Sequence, residues 1–218
     1  THLGDILNPN GGDLIEKKGV KKKLIFDPIT LWQIPLNRNF GLGNLHYRLL
    51  LPWVVNAKQT RNATATRENA RKDMDRHRIT YSACLPIAPN VLFSDLQKAN
   101  KKDPGLIPFT TIEFSKMESV EDKLKEDVKN RAKGLKLHTI IQKVSFTDSR
   151  TYHAVDVFSK FDLPILFHAG ISNYFLGKEK PRNTPSYGSV KDAIQLVKNF
   201  PKARFIVGHA GMFDVKEV

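Results

Sequence analysis

Two short apolar runs set the terms for this chain. Residues 163–170 read LPILFHAG and residues 205–211 read FIVGHAG. Each is rich in Ile, Val, Leu or Phe, is too short for a core helix, and closes on His-Ala-Gly. Runs of this kind read as strands buried on both faces, the habit of parallel sheets flanked by helices. Between them lies room for one loop and one helix, so they read as consecutive strands of βαβ units. A histidine at the carboxyl end of such a strand stands where α/β folds place their chemistry. Taken alone, one such histidine is most simply a core residue with a satisfied hydrogen bond. Two in the same frame, His168 and His209, favour a functional reading.

The alternation extends upstream. The pattern predicts strands over 79–87, 106–114, 134–138, 163–167 and 204–208. It predicts helices over 65–78, 94–100, 119–133, 149–160 and 189–199. Ser94 or Asp95 can cap the second helix and Asp148 or Ser149 the fourth. Val120, Leu124 and Val128 form the apolar stripe of the third. Such alternation argues for a parallel sheet with helical crossovers. The chain opens on Thr1-His2-Leu3-Gly4, which reads as the tip of a strand that should precede it. The expected fold is a TIM-like (β/α)8 barrel, truncated at both ends, with about six of its eight strands. A six-strand open sheet is the alternative. All 218 residues are assigned to this one domain, with a long insertion at about 8–57. Long excursions of this type often cover active sites. Gly41 and Gly43 within it lack the preceding strand and the Lys-Ser/Thr end of a phosphate loop.

Composition bounds the partners. A net charge of +13 and a pI of about 9.8 raise the question of nucleic acid. The basic residues are spread along the chain, however, with no recognition-helix, zinc-finger or RNA-platform pattern. A lysine-rich solvated surface is the preferred account, and the charge still suits an anionic small-molecule substrate. No apolar run reaches the ~18 residues of a membrane span. The single cysteine, Cys84, excludes an intrachain disulfide. With no visible signal peptide, the expected setting is reducing and cytoplasmic. Homo-oligomerisation stays open.

Four of the seven histidines, His2, His138, His168 and His209, fall at the carboxyl ends of proposed strands. Imidazole suits Zn²⁺ and similar ions, and catalytic zinc sites keep three protein ligands and one open position. His46, His77 and His153 fall in the insertion or on helices and read as surface or packing residues.

THLG, GLKLH, LPILFHAG and FIVGHAG together resemble the metal-dependent amidohydrolase superfamily. The nearest branch is the amidohydrolase-related or type 2 one, which also holds decarboxylases of the aminocarboxymuconate-semialdehyde type. The resemblance covers most of 65–211 and the opening five residues; the insertion matches no known pattern. It implies that His2 and His168 are metal ligands and that His209 is the catalytic acid/base beside the ion. Lys136 and His138, two residues apart and on one face of a strand, are implied as further metal or substrate ligands. The proline that often follows this histidine in the branch is Thr139 here. A first histidine is expected just before Thr1 and a late aspartate beyond Val218; Asp214 lies too near His209 to be that residue. Without these two, the chain is expected to hold its ion weakly. The implied cofactor is a divalent ion, Zn²⁺ foremost. The implied activity is hydrolysis of C–N or ester/lactone bonds of a small molecule through a metal-activated water. Non-oxidative decarboxylation on the same fold is the alternative, and a metal-free or nucleic-acid binding protein is the alternative of another class. Lys178, Arg182 and Tyr187 lie where an anionic substrate could be touched, although a plain solvated loop explains each.

Overall fold

The structure, a computed structural model, describes residues 1–21, 24, 26–28, 45, 49–170 and 172–209. Helices α1 (Leu51–Ala63) and α2 (Arg67–Arg76) precede strand β1 (Ser82–Cys84). Then follow α3 (Phe93–Lys102), β2 (Leu106–Pro108), α4 (Val120–Lys129) and β3 (Leu135–Leu137). A short α5 (Thr139–Gln142), α6 (Ser149–Ser159), β4 (Ile165–His168), α7 (Val190–Asn199) and β5 (Phe205–Gly208) complete the order. Every strand pairing is parallel. β1 joins β2, and β3 joins β4, which joins β5. A parallel bridge between Thr110 and Leu135 links the end of β2 to β3. Thr1 lies beside β1: its ammonium donates to Ala83 O at 2.6 Å, and its carbonyl accepts from Leu85 N at 2.8 Å. The strands thus follow one another in chain order, as in a barrel wall. Among the described residues the wall does not close into a barrel.

Strand alternation decides which side is core. In β3, Leu135 and Leu137 point one way and Lys136 the other. Their partners in β4 are Ile165 and Phe167 on the first face and Leu166 on the second. Phe205 and Val207 of β5 continue the first face. That face packs on Val120 and Leu124 of α4, on Val155 and Phe158 of α6, and on Ala193 and Leu196 of α7. The opposite face carries Lys136 and leads to His138 and His168. It looks into the hollow of the wall, and at β5 it lies open, with Ile206 44% exposed.

The helices end for local reasons. Asp148 caps α6 by accepting from Arg150 N, as expected, and Ser189 caps α7 by accepting from Asp192 N. α3 starts earlier than expected, at Phe93, with Leu92 as its cap residue; Asp95 instead accepts from Leu92 N at 2.9 Å from inside the first turn. α4 stops at Lys129 rather than running to 133. Arg131 turns left-handed, with φ of 72°, to bring Gly134 beneath the Phe109 ring. A Cβ on Gly134 would lie 2.3 Å from that ring, so a larger residue at the start of β3 would have to displace it. The first two strands are shorter than predicted. Pro86 follows closely on β1, and Thr110 donates its N–H to Gly134 O and accepts from Lys136 N, turning the chain toward β3.

The segment expected as an insertion with short helical pieces runs into a regular helix: residues 51–63 form α1, with Pro52 in its first turn. Sparse apolar spacing hid this helix: only Val54, Val55 and Ala57 are buried. Gly41, Gly43, His46 and Asp214 lie outside the described residues.

Candidate functional site

The histidines expected at strand ends meet in space. His138 follows β3, and His168 ends β4; their rings stack with centroids 4.3 Å apart. His2 lies 6.4 Å from His138, and His209 lies 5.2 Å from His168 in a T-shaped arrangement. Lys136, on the same face two residues before His138, completes the group. Lys136, His138 and His168 are at most 3% exposed. His209, which follows β5, is exposed. Its φ of 59° puts it in the left-handed region, which non-glycine residues visit at a cost.

Hydrogen bonds assign the nitrogens. His2 Nδ1 lies 2.7 Å from Leu85 O. A carbonyl only accepts, so Nδ1 carries the proton and Nε2 keeps a bare lone pair. His168 Nε2 lies 3.1 Å from Gly170 O, which by the same logic leaves Nδ1 bare. That Nδ1 is buried and meets no partner. A buried imidazole nitrogen without a partner is costly unless something else comes to it. His138 is spent differently. Its Nδ1 accepts from Ile141 N at 3.4 Å, capping α5, and its Nε2 pairs with Tyr174 Oη at 3.1 Å. Both of its nitrogens are committed within the protein.

Burial keeps these rings neutral. Desolvation pushes the pKa of His2, His138 and His168 well below 6.5, and the neighbouring Lys136 ammonium adds to it in each case. For His138 the His168 ring contributes more than Lys136 does. Lys136 itself is pushed down to about 7 by desolvation. Its ammonium has no hydrogen bond or ion pair among the described residues.

Lys58, Ser172 and Tyr174 belong to the site although nothing in the sequence pattern marked them. Lys58 lies one turn after Val54 and Val55 on the buried side of α1. Its ammonium donates to Ser172 Oγ at 2.5 Å and Asn173 O at 3.1 Å. It sits 4.9 Å from the Tyr174 ring centroid. Gln59 fastens the same loop by donating to Tyr174 O at 3.0 Å. A spacing rule could not find Lys58, because its helix lies far from the strands in sequence. Tyr174 also lines a cleft of about 280 Å³ with Ile140, Gln142, Phe175 and Arg182. Arg182 is held by Phe175, 3.8 Å from the ring centroid, and by Leu7 O and Glu179.

His2 Nε2 and His168 Nδ1 are neutral, bare and turned away from their backbone partners, which is what a divalent ion requires of imidazole. Among the described residues no group of three His, Cys, Asp or Glu converges as a complete metal cluster.

A family model described as amidohydrolase matches residues 58–218. No curated protein sequence matches the chain. An uncharacterized TIM-barrel protein from Bordetella bronchiseptica superposes with a TM-score of 0.58 at 16% identity, over 84% of this chain and 64% of that one. A 5-carboxyvanillate decarboxylase from Sphingomonas paucimobilis superposes with a TM-score of 0.50 at 12% identity, over 66% of this chain and 51% of that one. The chain spans less than two thirds of either structure. The likeness shows a TIM-barrel-like fold, and the chain belongs to the amidohydrolase family.

Proposed function

We propose that this member of the amidohydrolase family is a metal-dependent hydrolase acting on C–N or ester/lactone bonds of a small molecule. One observation carries the reading: His2 and His168 each commit one ring nitrogen to a backbone carbonyl and leave the other bare. Carbonyl anchoring of this kind fixes the tautomer and ring orientation of metal-binding histidines. When bound, a divalent ion, Zn²⁺ by preference, supplies Lewis-acid polarisation of a substrate carbonyl and hydroxide near neutral pH. His209 is exposed at the rim and next to His168, so it can exchange a proton with solvent and with the reacting group, as a general acid/base must. His138 acts by holding Tyr174 and the start of α5 in place. Lys136 holds a positive charge beneath the reacting centre, where it favours an anionic transition state.

Non-oxidative decarboxylation is the second reading. It is favoured by the same charge, since Lys136 lies buried with no carboxylate among the described residues to pair with. The two separate by product: hydrolysis releases an acid, decarboxylation releases CO₂. Calorimetric titration of the chain with Zn²⁺ and Co²⁺ tests the common premise. Wild type is expected to bind, and His168→Ala to bind at least ~10-fold more weakly. Equal affinity in the folded variant would remove His168 from the ligand set.

A further inference from the structure

We infer that Lys58 is a specificity-determining residue of this site, selecting small molecules that carry a carboxylate. The inference rests on the hydrolase reading for the location of the reacting centre, but its evidence is separate. An ammonium has three protons to donate. Two are spent on Ser172 Oγ and Asn173 O, and the third is left for a ligand. No acidic side chain among the described residues pairs with Lys58 or with Lys136. Both charges are nonetheless drawn back from water: Lys136 is 3% exposed, and Lys58 is half-buried, its ammonium held by Ser172 Oγ and Asn173 O. Removing a cation from solvent without a counterion is unfavourable. A ligand that brings the negative charge would offset it.

The placement fits recognition rather than support. Lys58 reaches the site from α1, on the Tyr174 side, whereas Lys136 rises from the floor of the wall. The Lys58 ammonium lies over the Tyr174 ring, whose hydroxyl meets His138 Nε2 at 3.1 Å, so it stands near the centre without being one of the strand-end groups. Ser172, which fixes its ammonium, is 1% exposed and four residues beyond His168. One open N–H suits one oxygen of a planar carboxylate. A phosphate dianion asks for several donors at once, which this corner does not offer.

Calorimetry on the full chain tests this, with benzoate as the anionic probe, benzamide as its neutral counterpart and inorganic phosphate as the competing anion. Wild type is expected to bind benzoate at least ~10-fold tighter than benzamide, the usual scale for a hydrogen bond to a charged group. Lys58→Gln should lower benzoate affinity by ~10-fold or more and leave benzamide unchanged, and Lys58→Arg should recover part of the loss. Circular dichroism checks that each variant is folded. Unchanged benzoate affinity in folded Lys58→Gln overturns the inference, as does no benzoate binding by wild type. Tighter binding of phosphate than of benzoate overturns the choice of carboxylate. Cobalt titration of the same samples keeps the two readings apart. Carboxylate selection without metal binding would leave Lys58 its role and sink the hydrolase reading. Metal binding without carboxylate selection would do the reverse.

Discussion

Replacing Lys136 by methionine should stabilise the protein, and the gain should fade as pH rises. Lys136 sits within β3, buried and without an anion, and its pKa falls from 10.5 to about 7. At ~1.4 kcal/mol for each tenfold change in proton affinity, that fall corresponds to roughly 5 kcal/mol against the charged form. The sign follows from proton counts. Between about 7 and 10.5 the unfolded chain keeps the proton and the folded chain sheds it, so stability rises with pH across that window. Below pH 7 the penalty is present in full. Methionine has nearly the same length and no charge, so Lys136→Met should gain about 2–4 kcal/mol at pH 7, allowing for relaxation around the buried charge. Near pH 10.5 the two proteins should differ by less than ~1 kcal/mol, since neither then carries a charge there. Urea denaturation at pH 7 and at pH 10.5, on protein stripped of metal and anions, measures both differences. A variant less stable than wild type at pH 7, or a gain that does not change with pH, would refute the reasoning.

The remaining expectations concern the frame around the site. Gly188→Ala would place a Cβ 2.4 Å from Gly170 O and 2.9 Å from Ile140 Cδ1. It should cost ~1–3 kcal/mol in thermal or urea denaturation and weaken the proposed binding of a divalent ion, because Gly170 O is the carbonyl that orients His168. Tyr174→Phe leaves His138 Nε2–H without its acceptor and should lower stability by ~1–3 kcal/mol; an unchanged denaturation midpoint would mean that water or another group satisfies that nitrogen. Phe167→Ala empties a fully buried position between Phe146 and Phe205, at centroid distances of 5.2 and 5.8 Å. It should cost ~3–5 kcal/mol by denaturation.

What could be read from the sequence was whatever obeys a short period. The run LKLH gives away both its core face and its chemical face, because strand side chains alternate. The stacking of His138 on His168 follows from the register that puts Leu137 beside Phe167. The parallel order of strands was legible for the same reason. Strand lengths were not, since they depend on where a single bridge such as Thr110 to Leu135 turns the chain. The roles of individual nitrogens were also hidden. Four histidines looked alike, but His2 and His168 each anchor one nitrogen and keep the other bare, because Leu85 O and Gly170 O happen to face the anchored one. His138 is consumed by Ile141 and Tyr174, contacts made by a helix start and a loop that no spacing predicts. Lys58 was the least accessible, since it enters through tertiary packing of a helix with a weak apolar stripe.

Charge gives this site its logic. Lys58, Lys136 and four imidazoles come together with no acidic side chain among the described residues to balance them. The imidazoles avoid the cost by staying neutral, which suits them as ligands, but the lysines can avoid it only by losing a proton or gaining an anion. A hollow built this way is poorly matched to a neutral, apolar guest. It becomes favourable when negative charge arrives with the substrate or develops on it as the bond changes. The apolar face of the same strands, packed on α4, α6 and α7, is what lets the wall tolerate the strain of waiting for that charge. Binding an anion should therefore raise the protein's stability as well as occupy the site, and the rise should be larger in wild type than in Lys136→Met, which has less to gain.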